Sequence, residues 1–133
     1  MTTAVDTCVL LDLLLAEPDR RFEAEAALRQ AFAQGGLVIG EVVYAELMPQ
    51  FADADELEQV LARAGISFTP SSAGSAAAAG AAWGSYRKRG GPRERLIADF
   101  LVGAHALLHA DQLLTRDRRF YQSCFKHLNV VEP

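Results

Sequence analysis

Between Leu96 and Asp117 the chain reads LIADFLVGAHALLHADQLLTRD, which sets Asp99 among some of its most apolar residues and places Thr115 and Asp117 behind a short apolar run. A helix that is apolar on every side is normally buried. An ionised carboxylate in such a helix is costly unless a cation or hydrogen-bond donors meet it, and a bound metal ion would do so. Asp99 has a second reading, as an acid in the first turn of a helix, where the macrodipole and free N–H groups favour negative charge. Asp117 also has one, as the N-cap of the turn from Arg118 to Tyr121. If the two acids do chemistry, further carboxylates are expected at other strand ends.

The elements that would position them follow from short apolar runs. Thr3 to Val5 is a brief strand-like approach to Asp6, and Thr7 to Leu15 continues as a helical run broken at Glu17-Pro18-Asp19. Asp19 is read as the cap of a helix with Phe22, Ala26, Ala27, Phe32 and Ala33 at helical spacing, stopped by Gly35-Gly36. Leu37 to Ile39, bounded by glycines, reads as a buried parallel strand. Glu41 to Leu47 opens a helix that Pro49 ends, and Asp53 to Ala64 is an amphipathic helix with Leu57, Val60 and Leu61 inward. Ile66 to Phe68 is a strand. Ala73 to Arg89 is an alanine-rich helix whose small residues suit close packing. After the Asp99 helix come a strand from Gln112 to Thr115, a turn or short helix from Phe120 to Phe125, and a last strand from Leu128 to Val131.

Short strands alternating with helices indicate a parallel sheet covered on both faces. The expected fold is a single α/β domain over residues 1–133, a Rossmann-like three-layer α/β/α sandwich with a short, mostly parallel sheet of four or five strands. Asp6 and Asp117 then follow strands, Glu46 lies one turn into a helix that follows a strand, and Asp99 sits near its helix start. Four acids distant in sequence can thus converge on one edge of the sheet, the carboxyl edge being where ligands gather in such folds. Carboxylates sharing one cavity repel, and a divalent cation is their natural counter-ion. All-oxygen ligation suits Mg²⁺ or Mn²⁺, which meet phosphate oxygens, so phosphoryl transfer is the chemistry this set would serve.

Composition narrows the classes. The 133 residues carry a formal net charge of −4, which excludes a generally basic coat of the kind that binds nucleic acid non-specifically. Cys8 and Cys124 have no neighbours at metal-ligand spacing, so neither a zinc site nor a disulfide framework is indicated, and a reducing cytoplasm is expected. The start shows no signal-peptide pattern and nowhere do eighteen apolar residues follow one another, so no membrane is implied.

With these residues in view, the chain resembles the PIN-domain ribonucleases, and among them the VapC toxins of prokaryotic toxin–antitoxin pairs. The resemblance rests on Val5-Asp6-Thr7 with Leu10 to Leu14, on Val42 to Leu47 (VVYAEL), on Ile97 to Ala106 (IADFLVGAHA) and on Leu114 to Asp117 (LTRD), in register over nearly the whole chain. It implies that Asp6, Glu46, Asp99 and Asp117 hold Mg²⁺ or Mn²⁺, that Thr115 is a supporting hydroxyl, and that water so activated hydrolyses RNA endonucleolytically to leave a 5′-phosphate. It also implies homodimers and a VapB-type antitoxin that covers the acidic site. Cys8 stands where the family more often carries a small polar residue. Glu41 is an additional acid, read as a dipole-favoured carboxylate at a helix start.

Affinity for RNA on an acidic chain has to come from local cations: Arg87, Lys88, Arg89, Arg93 and Arg95, with Arg116, Arg118 and Arg119 near the site. Each also has a bland reading as a solvated helix end. His105 and His109 share a helix face without a third ligand and are read as packing or rim residues. Helical spacing assigns Trp83, Tyr86, Phe22 and Phe32 to a core or interface rather than to base stacking. The alternative to a nuclease is a non-catalytic domain, either a degenerate PIN-like binding module or a receiver-like regulator. A receiver needs an acidic pair beside the first strand, and none adjoins Asp6.

Overall fold

The computed structural model describes residues 1–92 and 95–133. In chain order the elements are β1 (Thr3–Val5), α1 (Thr7–Leu15), α2 (Pro18–Gln34), β2 (Leu37–Ile39), α3 (Glu41–Leu47), α4 (Ala54–Arg63), β3 (Ile66–Phe68), α5 (Ala73–Lys88), α6 (Ile97–His109), β4 (Gln112–Leu114), α7 (Arg118–Cys124) and β5 (Val130–Val131). A 3-10 turn, Met48–Gln50, extends α3 at the proline. The strands form one sheet in the order β3-β2-β1-β4-β5, with every neighbouring pair parallel. This five-stranded parallel α/β architecture is the expected one. Its order also separates it from the receiver-type order 2-1-3-4-5.

Burial explains the strand sequences. All residues of β1, β2 and β4 are buried, so these strands read as continuous short runs rather than as alternating ones. Their two polar members, Thr3 and Gln112, satisfy one another across the sheet, the Gln112 Nε2 donating to Thr3 Oγ1 at 2.9 Å. On the edge strand β3 only Ile66 is buried. Helix ends are fixed locally. Asp53 caps α4 by accepting from Glu56 N at 2.9 Å, and Ser72 caps α5 by accepting from Ser75 N at 3.1 Å. The alanine-rich α5 does pack directly on α6, with Ser75 and Ala79 buried. Gly103 on α6 is required by a close approach, because a Cβ there would stand 2.4 Å from the Phe125 ring.

Four sequence readings are corrected. Helix α2 begins at Pro18, whose missing N–H costs nothing at a first helical position, so Asp19 lies in the first turn and is not the cap. The buried face of α2 is Ala24, Leu28 and Ala31, while Phe22 and Phe32 are 67 % and 55 % exposed. Helix α6 is not buried all round: Leu96 at its N-cap is 66 % exposed, and Ile97 and Leu108 also face solvent. The last strand starts at Val130 rather than Leu128, since Leu128 N is already committed to Phe125 O at 3.0 Å. Of the cations considered, Arg93 lies outside the described residues.

Candidate active site

The centre of the sheet creates the site. From β1 the chain winds through β2 to β3 on one side, and β4 then returns to pair on the other side of β1, so the switch in direction falls between β1 and β4. Val5 lies opposite Leu114 in that pairing, which sets Asp6 and Thr115, the next residues of the two strands, side by side. Their side chains meet. Thr115, wholly buried, donates its hydroxyl to Asp6 Oδ2 at 2.7 Å and accepts from Asp117 N at 3.0 Å. Asp6 also caps α1, its Oδ1 accepting from Thr7 N at 2.8 Å.

Thr7 extends this connection to a third element, donating its hydroxyl to Glu46 Oε1 on α3 at 2.7 Å. The Cys8 thiol lies 3.7 Å from Asp6 Oδ2 and donates to it. Burial, and then the Asp6 carboxylate, push this thiol up to about 11, so it is protonated at neutral pH. Burial likewise pushes the Asp6 carboxyl above its ordinary value, although the Thr115, Thr7, Cys8 and Tyr121 hydrogen bonds act against it. Among the described residues no Lys, Arg or His forms an ion pair with Asp6, Asp99 or Glu46.

Asp99 and Asp117 enter from α6 and from the start of α7. Tyr121 marks where they converge with Asp6: burial first, and then the Asp6, Asp99, Cys8 and Asp117 charges, push its phenol well above the ordinary value. Asp99 Oδ2 accepts from Leu96 N at 3.3 Å, so the acid also serves its own helix start. Asp117 holds the N-cap position of α7 without a side-chain capping bond and pairs instead with Arg95 Nη1 at 2.5 Å. The Arg95 guanidinium rests on the Phe120 ring, 4.1 Å from its centroid.

The five predicted residues therefore lie at one edge of the sheet. Asp6 and Thr115 touch, Glu46 joins through Thr7, Asp117 joins through its N–H to Thr115, and the Asp99 charge reaches Tyr121. Among the described residues, however, no three His, Cys, Asp or Glu side chains stand grouped closely enough to hold a metal ion as they are. Asp99, Glu46 and Asp117 each turn to a separate protein donor, which relieves the mutual repulsion of neighbouring carboxylates. The carboxylate and hydroxyl oxygens that dominate the set, around an Asp6 that no cationic side chain meets among the described residues, fit a hard divalent ion. Asp117 would have to exchange Arg95 for that ion.

Sequence reasoning gave no role to Thr7 or Tyr121, although Thr7 directly follows Asp6 and Tyr121 stands one helical turn after Asp117. Two expected cations meet carboxylates of their own. Arg116 pairs with Asp12, mostly buried on α1, and reaches Glu23 at 3.4 Å, while Arg118 lies 3.9 Å from Glu132. Glu41 accepts from Ser71 N at 2.9 Å and belongs to a different neighbourhood, beside His105. The histidines are packing residues, as expected: His105 Nε2 donates to Thr69 O at 2.7 Å and His109 lies against Ser72 and Ser75.

The family model described as PIN domain matches residues 3–126. The chain belongs to the PIN domain family. Among solved structures, this PIN domain is similar to a chain of VapBC2 from Rickettsia felis bound to a DNA fragment from its promoter, at 18 % identity and a TM-score of 0.76, covering 99 % of this chain and 98 % of that one. A chain of VapBC-1 from nontypeable Haemophilus influenzae gives 19 % identity and 0.74, over 99 % and 98 %. A chain of a toxin–antitoxin complex from Klebsiella pneumoniae gives 21 % and 0.69, over 97 % and 95 %. At these identities the likeness is one of fold. No curated protein matches the sequence.

Proposed function

We propose that this PIN domain is a metal-dependent endoribonuclease and the toxin of a type II toxin–antitoxin pair, with residues 1–133 as its single domain. The observation that carries this reading is the linkage of acids at the switch point of the sheet, where Thr115 joins part-buried Asp6 to the backbone of Asp117 and Thr7 joins Glu46 to the same strand end, with no cationic side chain among the described residues paired to Asp6. Asp6 and Asp99 would be the principal ligands of Mg²⁺ or Mn²⁺, with Glu46 and Asp117 completing the set. The ion, when bound, supplies charge neutralisation and Lewis acidity toward water and phosphate oxygens. Thr115 and Thr7 orient the Asp6 carboxylate, and Thr7 leaves the second oxygen of solvent-facing Glu46 free to accept a proton from attacking water.

The partner reading has its own support. Apolar side chains of α1, α2 and α4 line adjoining grooves that share Leu13 and Ala64, and Leu14, Leu15 and Phe32 are exposed beside them. Exposed apolar surface of this extent suits a protein partner, and the similar solved structures are toxin–antitoxin complexes. A VapB-type antitoxin is the assigned partner, with the toxin itself a homodimer in the cytoplasm. The dispersal of the acids to separate protein donors favours a second reading, a non-catalytic PIN-like binding module.

One assay separates them. Total RNA is incubated with antitoxin-free protein in Mn²⁺ or Mg²⁺, in EDTA, and with Asp99→Asn in the same buffers. The nuclease reading expects discrete fragments only for wild type with metal. Inert, folded wild type in both metals supports the binding module.

A further inference from the structure

A second surface adjoins the acids. The groove between the end of α5 and the start of α6 is lined by Trp83, Tyr86, Arg87, Arg95, Leu96 and Ile97, and lies within one helical turn of Asp99. It is a broad, solvent-open groove of about 990 Å³. Two features of it go unused by the folded core. Leu96 and Ile97, large apolar side chains, face solvent on the helix that carries Asp99. The last turn of α5 concentrates Arg87 and Lys88 on a chain that is otherwise net acidic.

The wall of the groove is preformed. Tyr86 packs edge-to-face on Phe100 and Phe120, and its hydroxyl donates to Pro92 O at 2.8 Å. Arg87 lies over the Trp83 ring, 5.0 Å from its centroid, which joins a flat aromatic surface to a planar cation. The exposed Leu96 and Ile97, with the half-buried Trp83 ring that carries Arg87 over one face, set an apolar and aromatic surface beside a guanidinium, which matches the two halves of an unpaired nucleotide, a base with a π-face and a phosphate. Proteins that hold single strands combine these same parts. A base within a duplex hides its faces, so the chemistry selects unpaired RNA.

We propose that this groove is a nucleotide subsite beside the acidic centre, in which Trp83 stacks an unpaired base flanking the bond to be cut and Arg87 receives its phosphate. The subsite rests on the nuclease reading above. It makes Trp83 and Arg87 positioning and specificity residues for the substrate rather than catalytic ones.

Trp83 is the only tryptophan of the chain, so its fluorescence reports the groove alone. The full chain in EDTA, where no metal-dependent cleavage runs, is titrated with a short unpaired oligoribonucleotide and with an abasic strand of equal charge. The subsite predicts saturable quenching by the first, little by the second, and binding weakened about tenfold in Trp83→Leu and severalfold in Arg87→Ala, read by anisotropy of labelled RNA. Trp83→Phe, which keeps a ring, recovers most of the affinity, and circular dichroism establishes that each variant is folded. Equal quenching by the abasic strand, or unchanged binding in folded Trp83→Leu, overturns the subsite. So does quenching by an acidic peptide but not by RNA, which would make the groove a protein contact. EDTA-sensitive cleavage of RNA by a chain whose Trp83 stays silent sinks only the subsite, whereas absence of both binding and cleavage sinks the nuclease reading with it.

Discussion

Thr115→Val isolates the hydroxyl that joins the two central strands at the site. Valine keeps the shape and burial of threonine but removes the donor to Asp6 Oδ2 at 2.7 Å and the acceptor for Asp117 N at 3.0 Å. A hydrogen bond to a charged group contributes about 2 kcal/mol and a neutral one about 1 kcal/mol, so the pair is worth about 3 kcal/mol at most. The Asp117 N–H lies near solvent and recovers part of its share from water, which sets the expected loss at about 2–3 kcal/mol. For a domain of this size that lowers the melting temperature by roughly 6–12 °C. Urea unfolding and calorimetry at neutral pH read the loss, with Thr115→Ser as the control that keeps the hydroxyl and costs about 1 kcal/mol for its missing methyl group. Losing the Thr115 donor also raises the Asp6 carboxyl further, measurable by carboxyl ¹³C titration. A valine variant within about 0.5 kcal/mol of wild type, the scatter of an ordinary surface change, would refute the assigned role of this bond.

Three further outcomes follow. Burial holds the Asp6 proton more tightly in the native chain than in the unfolded one, so stability contributed below the ordinary carboxylate value of about 3.8 is lost as pH rises through the higher native value. In EDTA, the stability of wild type relative to Asp6→Asn should therefore rise as pH falls from 7 toward the ordinary carboxylate value; a relative stability that stays flat or falls in acid contradicts the assignment. Arg95→Ala releases Asp117 from a half-exposed pair worth about 1 kcal/mol or less, so calorimetric titration should show tighter Mn²⁺ binding with little change in stability. Weaker binding would count against Asp117 as a ligand. Arg116→Leu leaves Asp12 with only Arg20, 3.9 Å away, and should cost about 2–3 kcal/mol, mostly restored by adding Asp12→Leu, with RNA affinity unchanged.

The sheet was legible because its central strands are buried on both faces and punctuated by glycine, as at Leu37–Ile39, and because Thr7–Leu15 and Glu41–Leu47 end at breakers. Helix faces were less so. In α2 the aromatic residues Phe22 and Phe32 look inward by type, yet the small Ala24 and Ala31 are what the packed face accommodates. Leu96 looked buried within an apolar run but sits on the rim of a groove. The order of acids along the chain identified the edge of the sheet, since Asp6 and Asp117 follow strands and Asp99 opens a helix. Which donor each carboxylate turns to was not readable, because Arg95 and Thr7 reach their partners through tertiary contacts that no local spacing encodes. Arg116 illustrates the same limit. Its neighbour in sequence is the site, but its neighbour in space is Asp12.

The most direct test of the acidic centre is binding of Mn²⁺ to the purified chain, followed by electron paramagnetic resonance and free of any assumption about substrate. The account predicts stoichiometric binding that is lost in Asp6→Asn and Asp99→Asn, both still folded, and unchanged in Glu41→Gln, whose carboxylate belongs to the Ser71 neighbourhood. Wild type that binds no Mn²⁺, or equal binding by all four proteins, would contradict it.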